Sequence, residues 1–353
     1  MKTELTKFYL EGESVEKIDF VIPWVDSNDL KWQKQRNQQL LNAGIDIDTD
    51  AENIGEERYR DYGTLKYLFR SIERYASWVH HIYLITDNQV PNWLRPDTTE
   101  NSEFYQKLTI IDHKDIMPNE ILPSYNSNAI EFNMINIPNL SEQFVAFNDD
   151  FLINSEVRPE DFFLNGLPRD YRVYIPLKPF SEYDHILFNN SQLINHWLQG
   201  KYESKTGLFS RTYGKQLLRN YQHYYLEHEH YVSNYSFPHN AQSFLKTSFE
   251  AANKMWGQEI YQTMQNNFRT NNDLSTLLIR DYQLETGCFV PRSPKFSQYY
   301  QLNEIDNIQQ ELLNSSHNLI CINDAETKNY ETDAKILNQL LQKKFPEKSS
   351  FEI

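Results

Sequence analysis

The sequence predicts an α/β fold carrying a largely helical addition, and three observations predict it. Apolar runs of strand length alternate with helix-like patterns through the first 165 residues, and each of those runs stops at a cluster of carboxylates and amides. Beyond that point the chain turns polar and aromatic with helical spacing. At 353 residues it exceeds what one hydrophobic core usually organises. We divide it into an α/β part over 1–165, a mainly helical cap or insert over 166–315, and a C-terminal strand and helix over 316–353 that return to the α/β core.

The first strand is expected over 18–25, where Ile18, Phe20, Val21, Ile22 and Val25 make a buried run that ends at Asp26-Ser27-Asn28-Asp29. A helix follows over 30–41, and the acidic, aperiodic stretch 42–57 reads as a mobile loop. Over 62–75 the apolar positions Leu65, Leu68, Phe69 and Ile72 recur at three- and four-residue spacing, the mark of an amphipathic helix. Strands are expected over 81–87, ending at Asp87, and 108–112, ending at Asp112. A helix over 127–137 is stopped by Pro138, and a strand over 143–147 runs into Asn148-Asp149-Asp150. In open α/β sheets the ligand crevice lies beyond the carboxyl ends of the strands, so Asp26, Asp87, Asp112, Asp149 and Asp150 could share one cleft. The cap is read as helices over 191–198, 212–226 and 240–265 with no convincing strand between them. A strand over 319–322 ends at Asn323-Asp324 and is read as a return to the sheet, a helix spans 334–345, and 346–353 is a tail.

Composition narrows the function classes. Lys+Arg 34 against Asp+Glu 49 leaves a formal charge of −15, the wrong sign for a protein that coats a nucleic-acid backbone. Cys288 and Cys321 cannot make a disulfide framework, and no CxxC pair offers a zinc or redox motif. No signal peptide or membrane-spanning stretch is evident, so the cytoplasm is the expected compartment. Aromatic residues make up 14% of the chain, with dense patches at Tyr221-Gln222-His223-Tyr224-Tyr225 and Tyr299-Tyr300; such rings fill cores more often than they stack on sugars. With no GxGxxG or GxxxxGK[ST] loop, dinucleotide and P-loop chemistry drop out.

Several constellations remain that can carry chemistry. Adjacent carboxylates at a strand end, Asp149 and Asp150, suit a hard divalent ion, although an Asp-rich turn has the same sequence. Asp26 and Asp29 can bind a nucleotide's base or ribose with Trp24 as an apolar wall, or simply cap the helix that follows. Arg58, Arg60, Arg70, Arg74 and Arg269 offer planar forks for phosphate, against the ordinary alternative of ion pairs. His228-Glu229-His230 lacks a fixed third ligand. His239, after Ser236-Phe237-Pro238, suits a general base, a phosphate hydrogen-bond donor, or a plain helix N-terminal histidine.

Taken together, the motifs resemble the Stealth family of sugar-phosphate transferases, which includes bacterial capsule and exopolysaccharide phosphotransferases and the animal lysosomal-enzyme N-acetylglucosamine phosphotransferase. The resemblance spans four regions: 18–29; 58–65 through 78–87, 126–131 and 140–144 to Asn148-Asp149-Asp150; the helical part with Phe237-Pro238-His239 and Phe268-Arg269; and Ile322-Asn323-Asp324 with 345–352. It implies a glycosyltransferase-A-like, Rossmann-like mixed sheet with a helical cap, and a nucleotide-sugar site in 1–165. The implied reaction moves hexose 1-phosphate from a UDP-sugar to a hydroxyl of a growing cell-surface polysaccharide or lipid-linked glycan, releasing UMP and forming a phosphodiester. Carried over residue by residue, Asp149 and Asp150 serve metal and acceptor activation, and Asn323 and Asp324 serve Mg²⁺ or Mn²⁺. Trp24, Asp26, Asp29, Arg60 and Asp61 serve the nucleotide, and His239 and Arg269 the diphosphate. Two departures stand out: Ser236 occupies a position where family members often carry a second histidine, and 151–190 matches loosely. Nucleic acid is not an expected partner, whereas peripheral contact with the cytoplasmic face of a membrane is. The rival readings are a metal-dependent glycosyltransferase that releases UDP and a non-catalytic glycan-binding protein.

Overall fold

The structure is a computed structural model that describes residues 17–45, 60, 62–95, 104–227, 229–237, 239–324 and 329–353. Its main sheet is built by β1 (Ile18–Pro23), β2 (His81–Thr86), β3 (Leu108–Asp112) and β4 (Gln143–Ala146). These four run parallel, with Phe20 opposite Ile82 on one side and Val145 on the other. Alternation along them separates two apolar clusters. Phe20, Ile22, Ile82, Leu84 and Val145 face one side, and Val21, Tyr83, Ile85 and Phe144 face the other, so both faces of the sheet are covered.

Helix α1 (Leu30–Ala43) starts at Asp29, whose carboxylate accepts from the amides of Lys31 and Trp32, and ends at Gly44 with φ +66°. Helix α2 (Thr64–Tyr75) buries Leu65, Leu68, Phe69 and Ile72 against the first cluster, as their spacing predicts. A helical turn, α3 (His113–Ile116), follows β3, and α4 (Ser127–Phe132) is shorter than expected because the chain tightens to a 3-10 turn over Met134–Asn136 before Pro138. After β4 come β5 (Phe151–Ile153), the turn α5 (Pro159–Phe162), and the short strands β6 (Phe163–Leu164), β7 (Leu167–Asp170) and β8 (Tyr174–Ile175).

The cap contains α6 (Tyr183–Leu198) and α7 (Leu217–Leu226). The helix expected over 212–226 begins as a 3-10 segment, because Gly214 takes φ +57° and ψ −131° and breaks the α path. The expected helix over 240–265 is corrected more substantially. After β9 (Asn234–Tyr235), residues Gln242–Leu245 form β10, which pairs antiparallel with β4, so the main sheet has the order β10-β4-β1-β2-β3. Only then does α8 (Lys246–Met264) begin, followed by α9 (Leu277–Thr286) and β11 (Val290–Pro291).

The last segments are β12 (Ser297–Gln301), α10 (Ile305–Asn314), β13 (Leu319–Asn323) and α11 (Tyr330–Lys344). β13 does not rejoin the main sheet as expected. It pairs parallel with β12 and antiparallel with β5 in a separate three-stranded sheet. Residues 346–353 are not a loose tail either. Phe351 is fully buried against Phe69, and Glu352 receives both Arg70 Nε and Nη2 at 2.7 Å. Among the described residues no helix is long and apolar enough to cross a membrane.

Candidate active site

Two strand ends from different sheets meet at one point. Register sets Cys321 of β13 opposite Phe151 of β5, and the amide of Ile322 donates to the Asp150 carbonyl at 3.0 Å. The Asp149-Asp150 pair leaving β4 therefore stands beside Asn323 and Asp324 leaving β13. Tyr62 closes the floor: its hydroxyl donates to the Ile322 carbonyl. Burial and the surrounding charges of Asp150, Cys321, Asp149 and Asp324 push that phenol well above its ordinary range.

Asp150 is the most constrained member. Its Oδ2 accepts from the Cys321 thiol at 3.2 Å, while Oδ1 is enclosed with no hydrogen-bond partner among the described residues. Burial is the main cause that raises its carboxyl to about 6. Burial and the Asp150 charge in turn hold Cys321 well above the usual thiol range, so the sulfur stays protonated and donates. His239 adopts φ +42° and sets its ring edge-on to Phe151 at 5.5 Å and Tyr299 at 5.9 Å. Burial, aided by the Arg269 charge, lowers its pKa to about 4, which leaves a neutral imidazole at pH 7. Ligand atoms of Asp150, His239 and Cys321 lie within 4.8 Å of one another, a group that could hold a metal ion. An enclosed carboxylate oxygen without a partner, flanked by two further carboxylates, suits a divalent cation.

The remaining residues singled out by sequence divide between this cluster and a second region. Arg60 lies at the cluster, 3.4 Å from Asp324 and stacked over Tyr330, rather than beside Asp26 and Asp29. Asp61, Arg58, His228 and Pro238 lie outside the described residues. Asp26 and Asp29 stand together after β1, tied by Gln89, which donates to the Asp26 carbonyl at 3.0 Å and to Asp29 at 3.3 Å. Asp29, whose carboxyl is lowered chiefly by the Lys31 amide, caps α1 and also lines a pocket of 580 Å³ with Trp32, Asp87 and Tyr125. Trp24 is instead buried in the main core, and Trp32 is the indole at the pocket. Asp112 caps α3.

Arg269 belongs to the loop between these regions. Its guanidinium donates to Ser127 and stacks over Tyr183 at 5.7 Å, and its neighbour Phe268 stacks on Tyr125 at the pocket wall. The loop is held by fully buried Asp273, which accepts from Asn126 and Asn266 at 2.7 Å each. The other arginines are structural: Arg70 pairs with Glu352, and Arg74 donates to the Lys344 carbonyl. His230 is likewise internal, bonded to His223 and Glu285 at 2.9 Å.

Sequence reasoning missed Cys321, Tyr62 and Arg280. Arg280 grips Asp170 at 2.7 and 3.0 Å and reaches the Ser236 carbonyl, with Phe237 stacked on its guanidinium at 5.4 Å, so it fixes the approach to His239. Cys321 carried a readable signal, two residues before Asn323 on the same face of a strand, but its partner strand was not deducible.

A model of the Stealth protein conserved region 2 matches residues 58–170. The exopolysaccharide phosphotransferase cps2G of Lactiplantibacillus plantarum is 40% identical over 95% of this chain and 96% of its own. The chain belongs to the Stealth family. The capsular polysaccharide phosphotransferase WcwK of Streptococcus pneumoniae is 37% identical over 96% of this chain and 99% of its own. The receptor polysaccharide phosphotransferase WefC of Streptococcus gordonii is 35% identical over 96% and 100%. This Stealth protein is therefore an enzyme, a sugar-phosphate transferase. Among solved structures, the galactosyltransferase LgtC with donor and acceptor sugar analogues covers 92% of this chain and 95% of its own, at 10% identity and a TM-score of 0.38. The matched Stealth region contributes Arg60, Tyr62, Asp149 and Asp150 to the cluster, and the chain beyond it supplies His239, Cys321, Asn323 and Asp324.

Proposed function

We propose that the enzyme transfers hexose 1-phosphate from a UDP-sugar to a hydroxyl of a growing cell-surface polysaccharide, with UMP as the leaving group. The observation that carries this reading is the convergence of the Asp149-Asp150 and Asn323-Asp324 strand ends on neutral His239, with one Asp150 oxygen enclosed and unpartnered among the described residues. Relatives named as phosphotransferases of capsular and exopolysaccharides supply the substrate class.

Asp149, Asp150, Asn323 and Asp324 would hold Mg²⁺ or Mn²⁺, and a bound cation would neutralise charge on the diphosphate oxygens. The nucleotide takes the region of Asp26 and Asp29, while Arg60, held at Asp324, faces the phosphates at the cluster. Arg269 presents its fork to the diphosphate. The acceptor hydroxyl oxygen then forms a bond to the β-phosphorus while the bond from that phosphorus to the bridging oxygen breaks. UMP departs with the bridging oxygen, and the hydroxyl proton passes to a ring nitrogen of His239, which is neutral and therefore able to receive it. We place the enzyme in the cytoplasm at the membrane face, where it meets a lipid-linked or polymerising glycan. The α/β part over 1–165 binds the nucleotide of the donor, and the part over 166–315, which lends β10 to the main sheet and Arg269 to the diphosphate, also shapes the acceptor side.

Nucleotide product analysis tests this. Purified enzyme incubated with Mg²⁺, a panel of UDP-hexoses and a polysaccharide acceptor is expected to release UMP only when acceptor and metal are both present. Release of UDP instead would make it a glycosyltransferase and overturn the reading.

A further inference from the structure

The aromatic patch noted in the sequence is not absorbed by the active site. On α7 the residues Leu218, Tyr221 and Tyr225 recur at helical spacing on one face, and they are 66%, 40% and 70% exposed, with Leu226 beside them at 73%. The face is continuous: Tyr221 lies parallel to Tyr225 at 6.2 Å and stacks on Phe209 at 5.0 Å. Lys205 donates to the Tyr224 hydroxyl at 2.6 Å and sits over that ring. Exposed aliphatic and aromatic side chains grouped this closely are unusual on a soluble surface.

Charge identifies the occupant. Between Lys201 and Leu226 the exposed cations are Lys201, Lys205, Arg211, Lys215 and Arg219 against Glu203, and with exposed Glu227 and Glu229 just past the helix the stretch still carries an excess of two positive charges, in a chain whose formal charge is −15. Tyrosines and leucines flanked by lysine and arginine match the interface of a bilayer that carries anionic headgroups. A neutral glycan would use the rings but has no use for exposed leucines or for local positive charge.

We propose that the α7 face and the 3-10 segment leading into it dock the enzyme on an anionic phospholipid surface. Leu218, Tyr221, Tyr225 and Leu226 enter the headgroup region while Lys215 and Arg219 meet lipid phosphates. The inference rests on the reading of a membrane-presented acceptor given above.

Co-sedimentation with vesicles tests it, in the absence of donor and acceptor, so that a failed transfer reaction and a failed docking surface are told apart. The enzyme is expected to partition onto phosphatidylglycerol-containing vesicles, to release as salt is raised, and to ignore pure phosphatidylcholine. Lys215→Gln with Arg219→Gln lowers partitioning by roughly thirty-fold, from about one decade and a half for two cations at the surface. Leu218→Ser with Leu226→Ser lowers it by about tenfold or more. Both double variants alter exposed positions, and their melting and their turnover on a water-soluble acceptor fragment stay as in the wild type. Equal binding to both vesicle types, no binding to either, or full partitioning by the variants overturns the proposal. So does retention on immobilised polysaccharide that Tyr221→Ala abolishes, which would make the face a glycan platform.

Discussion

Asp150 has one oxygen on the Cys321 thiol and the other enclosed without a partner among the described residues, an arrangement that a fold does not retain for stability alone. Asp150→Asn is expected to lower turnover by at least about a hundredfold with melting unchanged or raised, measured by UMP release and thermal unfolding. A variant that turns over normally would remove the carboxylate from the reaction. Cys321→Ala withdraws the donor from Oδ2 and should cost roughly 1–3 kcal/mol in a denaturant titration, whereas Cys321→Ser keeps a donor and should cost less. His239→Gln retains hydrogen bonding but cannot take a proton, and kcat should fall by about 10²- to 10⁴-fold with KM little changed. At this scale the strand-end carboxylates were legible because each terminates an apolar run, and their meeting is a consequence of β5 pairing with β13. The place of Arg60 was not legible. It depends on where the start of α2 lies against Asp324, a contact between residues far apart in the chain.

Elements with a strong period could be read from sequence, and those defined by a distant partner could not. Helix α2 and strands β1 to β4 carry their own patterns, so their positions were predictable to within a few residues. β10 is four residues long and abuts α8, which leaves no period of its own; what makes it a strand is the ladder to β4. The terminal segment 346–353 is short and polar, and its order comes from Arg70 and Phe69 on α2. Glu352→Ala strands the Arg70 guanidinium in a buried site and is expected to destabilise the fold by about 3–5 kcal/mol in urea unfolding. A loss within experimental error would show that the segment docks without that pair. Asp29 serves both α1 and the pocket, and its two roles separate by substitution. Asp29→Asn keeps a capping side chain, so stability should hold within about 0.5 kcal/mol while donor affinity falls; Asp29→Ala should lose both.

The whole molecule is expected to be acid-sensitive. His113, His223 and His239 are all held near 4, burial being the principal cause in each, while the same imidazoles titrate near their ordinary value in the unfolded chain. The unfolded chain therefore takes up protons first. Stability is complete above the ordinary histidine pKa and is lost as pH falls from there towards 4. For His113, which is 3% exposed, the loss amounts to about 3 kcal/mol over that window. The Asp112 charge pulls the other way but is outweighed by burial, and Asp87, 3.9 Å away, is itself raised by burial and by Asp112. His113→Gln should flatten the acid limb of a melting-temperature profile, and a limb unchanged by that substitution would assign the sensitivity elsewhere. The most direct test of the reaction follows the atom that moves. A UDP-hexose labelled with radioactive phosphorus at the β position, incubated with enzyme, metal and glycan acceptor, should leave its label in the glycan as a phosphodiester, and the Asp150→Asn enzyme should leave none. Label recovered in UDP, with unlabelled hexose joined to the glycan, would contradict phosphotransfer.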